Sequence, residues 1–370
     1  MKSNILKQMN KLSKAMLYGN YWKDNIVYHR HDVLDEGVNT LEQNGSCKLR
    51  LFGVKDTNQI EDTLVKKLQQ KEGFLFHTVD QMSAGGRAID TDTVNPLTSR
   101  VMTGSSSASC ANILRGINDL AIGTDGGGSV LAPAISTGLY SIMAKGMGLK
   151  GIEKKVSTDN IPFVPGVGII ASHFNVCTEV VAHLLDVSLI DAKKLEKKDV
   201  KIAIPRKGDH TLPDGRDMAE ALTTIRKLLD SWVTFKEVDL TTIDERKNAI
   251  KAAKRLFKNG FDGILTAEGP VDLYGLGDSI VGQWGSLGYA LQNNGGKYMV
   301  KVANMLNATA ISIPAENLST GFVITVPEGV KQGLVGIALG DLIDKIVERP
   351  PLFSRYFFDN YCHNDMGFIR

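Results

Sequence analysis

Short runs of apolar residues alternate with segments of helical periodicity along most of the chain. The runs that have the length and composition of buried strands span residues 73–76, 120–123, 201–205, 233–240, 263–266, 310–314 and 321–327. Helical patterns over residues 63–68, 107–116, 218–229 and 243–257 lie between them. An alternation of helices and apolar strands is typical of a sheet covered by helices. The pattern therefore predicts an α/β fold.

The first 20 residues follow a different pattern. Ile5, Met9, Leu12 and Met16 recur at helical spacing and form one apolar stripe, whereas residues 1–23 contain five lysines and no acidic residue. We predict a basic amphipathic helix over residues 1–20 that packs on the body of the protein or on a second subunit. An organelle-targeting segment and a helix bound to a membrane surface are the alternatives.

The rest of the chain reads as a single unit. The sequence is polar from the end of the first helix to about residue 60, and no linker rich in Pro, Ser or Gly interrupts the later pattern. We therefore predict one α/β domain over residues 21–350, followed by a C-terminal tail over residues 351–370.

Composition narrows the class of protein. The 370 residues are 43% hydrophobic and carry a formal net charge of +2, so the bulk charge gives no reason to expect nucleic-acid binding. The four cysteines are scattered, which argues against a zinc site or a disulfide framework and fits a reducing compartment. No stretch approaches the roughly 18 apolar residues of a membrane span. We expect a cytoplasmic protein, with the mitochondrial matrix as the alternative.

Two stretches of small residues stand out. Residues 103–112 read TGSSSASCAN, and residues 119–134 read DLAIGTDGGGSVLAPA. Serines before a helix can simply cap it. Three consecutive glycines, however, each cost a regular element up to about 1 kcal/mol, so they are expected where the backbone approaches another group closely or takes a positive φ. One helix and one strand fit between Ser105 and Ser129 and would bring the chain back, so that the two serines meet.

Together the two stretches resemble the amidase signature family, whose pattern reads approximately GGSSGGS and then GTDxGGSxRxPA at the same separation. Flanking segments agree at residues 80–86, 95–101, 167–171, 264–266 and 307–314, so the resemblance covers most of residues 20–345. It implies a mixed central sheet covered by helices on both faces, in a compact version because the chain is shorter than typical members.

The resemblance also implies a Ser-cisSer-Lys mechanism. Ser129 would be the nucleophile, and Ser105, in a cis peptide, would relay a proton between Ser129 and a buried lysine. Ser106 would hold that lysine by a hydrogen bond. No cofactor and no metal are implied.

The glycine run has a role in the same scheme. The backbone N–H groups of Gly126, Gly127, Gly128 and Ser129 would surround the developing oxyanion, because side chains there would block the approaching carbonyl. Asp125 is the aspartate of the motif and would support the loop.

Two lysines compete for the role of base. Lys23 lies in a complete K-D-N-I motif. Lys55 lies only six residues before a segment that resembles a helix of the family, and in the family that helix normally begins well after the catalytic lysine. We therefore favour Lys23, and a short insertion around residues 28–36 accounts for its greater distance from Ser105. An ordinary lysine pKa of about 10.4 leaves too little neutral amine at pH 7, but burial can lower that pKa by about 3–5 units.

Two departures from the family pattern bear on function. Leu131 stands where the family has an arginine that pairs with the motif aspartate, so the loop needs another brace. Ser107 and Ala108 replace the second glycine pair of the serine-rich motif.

We predict an amidohydrolase that cleaves the C–N bond of a small-molecule or peptide amide through a serine acyl-enzyme. One alternative is the glutaminase A subunit of a glutamyl-tRNA(Gln) amidotransferase, which would deliver ammonia to a partner subunit. The other, suggested by Leu131, is a non-catalytic amidase-like protein that acts through partner binding. Direct nucleic-acid binding is not expected, and a homodimer is left open.

The histidines offer weaker candidates. His29, His31 and Asp32 could ligate a metal, but such a cluster in a polar segment is usually a solvated loop. His77 follows an apolar run and is interpreted as a strand-end histidine rather than a general base. The glycine run lacks the G-K-S/T that a phosphate-binding loop requires.

Overall fold

A computed structural model describes residues 2–157, 160–190 and 200–358. The strands are β1 (Ile26–His29), β2 (Arg50–Lys55), β3 (Phe74–Asp80), β4 (Ile89–Val94), β5 (Val101–Thr103), β6 (Leu120–Asp125), β7 (Tyr140–Met143), β8 (Lys155–Val156), β9 (Pro162–Phe163), β10 (Gly166–Ala171), β11 (Lys201–Pro205), β12 (Thr234–Val238), β13 (Gly263–Glu268), β14 (Thr309–Pro314) and β15 (Gly321–Val326).

The helices surround these strands. They are α1 (Lys2–Tyr21), α2 (Val33–Gln43), α3 (Asp62–Gln69), α4 (Ser107–Leu114), α5 (Leu131–Ser136), α6 (Phe174–Leu185), α7 (Met218–Ala221), α8 (Thr223–Leu229), α9 (Arg246–Lys258), α10 (Ser286–Asn293), α11 (Val330–Asp344) and α12 (Pro351–Phe357).

Eleven strands form one sheet in the order β1-β3-β2-β6-β10-β7-β14-β15-β13-β11-β12. Strand β2 runs parallel to β3 and β6, and β11 runs parallel to β12 and β13. The remaining neighbours are antiparallel. The prediction of a mixed central sheet is therefore confirmed.

Helices cover both faces of this sheet. Successive side chains of a strand point to opposite faces, so neighbouring residues show which helix lies on which face. Ala121 and Ile170 are cross-strand partners and pack with Ile113 of α4. Their neighbours Ile122 and Ile169 pack instead in the main core cluster with residues of α6. The two helices therefore lie on opposite faces, as the sequence predicted.

The seven predicted strands are all present, with ends shifted by up to a few residues. The prediction that residues 21–60 are an undifferentiated polar region is wrong, since this stretch forms β1, α2 and β2. Strand β2 enters the sheet between β3 and β6 with five of its six residues buried. Its burial makes it part of the core.

The first and last described helices pack on the body, the last one through Phe353 and Phe357. Leu12 of α1 is buried with residues of α2 and β2, and Ile5, Met9 and Met16 of the same stripe pack on that cluster. At the other end, residues 351–357 of the predicted tail form α12, and residues 359–370 lie outside the described part of the chain. Within the described residues, no helix has the length and apolarity that crossing a membrane requires.

The central strands give a direct test of the core. Ile311 of β14 is fully buried between its cross-strand partners Ile142 and Ile324, so Ile311→Ala should lower the free energy of unfolding by about 2–5 kcal/mol. The control is Ile152→Ala, at a side chain that is 55% exposed, which should change that free energy far less. Denaturant titration measures both, and equal losses would contradict the described core.

Candidate active site

The end of β2 places a lysine amine beside the first predicted serine. Strands β2 and β6 are parallel, with Val54 opposite Ile122, so their carboxyl ends meet at one edge of the sheet. Lys55 is the last residue of β2, and its Nζ lies 2.7 Å from the Oγ of Ser105 and 3.2 Å from the carbonyl oxygen of Thr124. All three residues are buried. The peptide bond between Gly104 and Ser105 is cis.

Burial changes the proton affinity of this amine. The pKa of Lys55 is lowered to about 7, chiefly because burial disfavours the charged form and also because Lys155 carries a like charge. The carboxyl of Asp125 opposes this shift. A substantial fraction of the amine is therefore neutral near pH 7, and its lone pair can then accept the hydroxyl proton of Ser105.

The preference for Lys23 over Lys55 requires correction. Lys23 lies exposed in a short 3-10 helix, Lys23–Asn25, between α1 and β1. Lys55 instead makes the expected contact with Ser105. The short distance from Lys55 to α3 is no obstacle, because the lysine ends a strand and only the loop 56–61 separates it from the helix.

The second predicted serine lies next to this pair. The Ser106 N–H donates to the carbonyl oxygen of Ser129 at 3.2 Å, so residue 129 is joined to the peptide that follows Ser105. Ser129 is partly exposed at the entrance to α5. The expected hydrogen bond from Ser106 to the lysine is not formed, because the buried Ser106 Oγ has no partner among the described residues. Thr124 supplies the second contact to Lys55 instead.

Asp125 provides the brace that the loop was expected to need. Its buried carboxylate accepts hydrogen bonds from the N–H groups of Gly128 (2.8 Å), Val130 (2.7 Å) and Leu131 (3.3 Å). The backbone of the loop therefore does what the missing arginine would do, and the side chain of Leu131 is free to be fully buried in the core.

This bracing also corrects the predicted set of oxyanion donors. The Gly128 N–H already donates to Asp125. Hydrogen bonds between described residues do not use the N–H groups of Gly126, Gly127 and Ser129. Three of the four predicted donors therefore make no hydrogen bond to the described residues, whereas that of Gly128 is already used.

Backbone geometry requires one of the glycines, and a neighbouring side chain crowds another. Gly128 has a φ of +106°, and a Cβ there would lie 3.2 Å from the carbonyl oxygen of Val300. A Cβ at Gly126 would lie 2.6 Å from the ring of Phe163. Close approach and a positive φ are thus the physical reasons for the run.

Sequence reasoning missed the buried ionisable groups behind the loop. Burial raises the pKa of Glu268 to about 7, and it lowers the pKa of Lys145 to about 8. Glu268 lies two residues after the apolar run 263–266, and neither Glu268 nor Lys145 belongs to the motifs at residues 103–134.

The histidines form a separate cluster. His77 lies inside β3 rather than at its end, and its ring contacts the carbonyl oxygen of Ile117 at 3.0 Å and the Nε2 of His29 at 2.9 Å. Burial lowers the pKa of His77 to about 4. Asp32 pairs with Arg30. Within the described residues, no group of three or more His, Cys, Asp or Glu side chains could hold a metal ion.

Comparisons with known proteins agree with this geometry. Residues 55–162, which begin at Lys55 and include Ser105 and Ser129, match the family model described as Amidase. A search of curated proteins finds no match.

Solved structures share the fold over most of their length. Peptide amidase from Stenotrophomonas maltophilia superposes with a TM-score of 0.63 at 14% identity, covering 94% of this chain and 95% of that chain. For 6-aminohexanoate cyclic dimer hydrolase the TM-score is 0.64 at 11% identity, covering 94% and 96%. For an amidase family protein from Bacillus anthracis these values are 0.57, 14%, 88% and 84%.

At these identities the likeness to the solved structures concerns the fold, and the family match adds the segment that carries the signature residues. The two findings agree with the motifs at residues 103–134. Residues 55–162 thus carry a match to the amidase family model, and the chain shares the fold of solved amidases over most of its length.

Proposed function

We propose that the protein hydrolyses amides through a serine acyl-enzyme, with Ser129 as nucleophile, Ser105 as proton relay and Lys55 as base. The observation that carries this proposal is the 2.7 Å contact between the Lys55 amine and the Ser105 hydroxyl in a buried site. The Ser106–Ser129 backbone hydrogen bond, which adjoins that contact, supports it.

Acylation begins with neutral Lys55. As the Ser129 Oγ attacks the substrate carbonyl, its proton passes to the Ser105 Oγ, and the Ser105 proton passes to the Lys55 Nζ. The carbonyl oxygen becomes an oxyanion, which the N–H groups of Gly126, Gly127 and Ser129 stabilise. A single such donor is worth about 3–4 kcal/mol in comparable sites.

The same relay then runs backwards. The C–N bond breaks as Lys55, through Ser105, returns a proton to the departing nitrogen, which leaves as a neutral amine or ammonia. Water next attacks the ester on Ser129 and gives a proton to the relay. The C–O bond to Ser129 then breaks, the relay returns that proton to the Ser129 oxygen, and the carboxylic acid leaves. The lysine ends the cycle neutral.

The identity of the amide and the alternatives of a glutaminase subunit and a non-catalytic binding protein stay predictions from the sequence. Acylation by an electrophile separates the catalytic proposal from the binding alternative. Ammonia release from glutamine that depends on a co-purifying partner would identify the glutaminase subunit.

A fluorophosphonate probe should label the wild-type protein at Ser129, and Ser129→Ala should abolish labelling, because the attacking oxygen is removed. Ser286→Ala, at an exposed serine, is the control and should label normally. Mass spectrometry of the labelled peptide measures the site. Labelling that persists in Ser129→Ala, or a folded wild-type protein that stays unlabelled, counts against the proposal.

The two lysines can be separated by matched substitutions. Lys55→Met should lower the rate of probe labelling by about 10³-fold or more, because no base remains to accept the relayed proton. Lys23→Met, at an exposed side chain, should leave that rate within about twofold. The reverse ranking would restore Lys23 as the base.

The labelling rate should also depend on pH. Only neutral Lys55 accepts a proton, so the rate should rise as pH increases through about 7 and reach a plateau above about pH 8. Glu268→Gln, which removes a second buried group with a pKa of about 7, should retain this rise. A wild-type profile that is flat between pH 5.5 and 8.5 would contradict the assignment of Lys55.

A further inference from the structure

Each glycine of the loop faces a residue of one short segment, 298–304. The Asn304 Nδ2 donates to the Gly126 carbonyl oxygen at 3.2 Å. The carbonyl oxygens of Lys301 and Val300 lie 3.7 Å and 3.2 Å from the points where side chains would begin at Gly127 and Gly128. We call residues 298–304 the loop wall. It contains the 3-10 helix Met299–Lys301 and the start of a second, Ala303–Leu306.

A buried carboxylate holds the first half of the loop wall. Glu268, the last residue of β13, is 1% exposed. Its oxygens accept hydrogen bonds from the N–H groups of Tyr298 (2.8 Å), Met299 (2.6 Å) and Val300 (3.2 Å). Three consecutive N–H groups that donate to one carboxyl group fix the conformation of that backbone, because each of these buried donors has its partner there.

A buried amine holds the second half. Lys145 is 2% exposed, and its Nζ donates to the carbonyl oxygen of Asn304 at 2.9 Å. Asn304 is itself fully buried, and its side chain contacts the loop. Hydrogen bonds with buried ionisable side chains therefore hold both ends of the loop wall.

We propose that Glu268 and Lys145 are positioning residues, which set the geometry of the oxyanion donors by fixing the loop wall against Gly126–Gly128. This inference rests on the proposed function, because it takes the N–H groups of that loop to bind the oxyanion. A donor is useful only where it points at the oxygen of the transition state, and a displacement of about 1 Å can cost about 10²-fold in rate.

The test is Glu268→Gln, which keeps the size of the side chain but replaces one acceptor oxygen with an NH₂ donor. Steady-state hydrolysis of an amide substrate, established first with the wild-type protein, should show kcat lowered by about 10- to 100-fold with KM within about threefold, because the lost interaction belongs to the transition state. The Gly128 amide, which donates to Asp125, should exchange with deuterium at least about 10-fold faster.

Lys145→Met is the second variant, and it should shift kcat and Gly128 exchange in the same direction. It removes the amine that donates to the carbonyl oxygen of Asn304, together with a charge that acts on the buried carboxyl of Asp125. The matched control is Asp209→Asn. Asp209 is also a carboxylate that accepts backbone N–H groups, those of Arg206 and Leu240, but on the connection that follows β11. The Asp209→Asn substitution should leave kcat and the hydrogen exchange of the Gly128 amide unchanged.

The outcomes are distinguishable. Lower kcat with constant KM and faster Gly128 exchange, in both variants but not in the control, supports the positioning role. Unchanged Gly128 exchange in a folded Glu268→Gln overturns it, as does a rise in KM with constant kcat. If the wild-type protein neither hydrolyses amides nor reacts with a fluorophosphonate, the proposed function fails, and Gly128 exchange still decides whether Glu268 and Lys145 order the loop.

Discussion

The contact between the Lys55 amine and the Ser105 hydroxyl depends on a strand that ends inside the protein. Parallel pairing of β2 with β6 brings Lys55 to the same sheet edge as the glycine loop, where water cannot solvate the amine. Lowering the pKa from 10.5 to about 7 costs roughly 4 kcal/mol of folding free energy at pH 7, which is of the same order as the net stability of a typical domain. The stability lost there leaves a lysine amine partly neutral near neutral pH.

The second constraint is the glycine loop, residues 126–128, whose main chain is held in place by its neighbours. The Asp125 carboxylate accepts hydrogen bonds from three N–H groups in and just after the loop, including that of Gly128. The loop wall contacts the loop from the side through Asn304 and Val300. Glycine allows this close approach. Contacts with Asp125 and the loop wall restrict the backbone of the loop, which glycine alone would leave flexible.

Much of this arrangement was predictable from the sequence. The strands were visible as apolar runs, and local motifs whose spacing is set by one helix and one strand marked Ser105, Ser129 and Asp125 as candidates. The prediction that Lys23 lies beside Ser105 was wrong, because it relied on a local motif, K-D-N-I. The prediction treated residues 21–60 as polar and overlooked one apolar run, Leu51-Phe52-Gly53-Val54. This run is typical of a buried strand, and that strand ends at Lys55.

Other features could not be read from the sequence, because they arise only from tertiary contacts. The use of the Gly128 N–H by Asp125 depends on the turn that the loop takes. Glu268 and Lys145 are distant in sequence from the loop and reach it only through residues 298–304.

The central claim is that Lys55 holds a neutral amine at physiological pH. The direct measurement is an NMR titration of ¹⁵N-labelled lysine side chains, in which the Lys55 Nζ signal is identified by its absence from Lys55→Met. The account predicts that this nitrogen loses its charge with a pKa of about 7. A Lys55 amine that stays protonated to above about pH 9, near the ordinary lysine value, would contradict it.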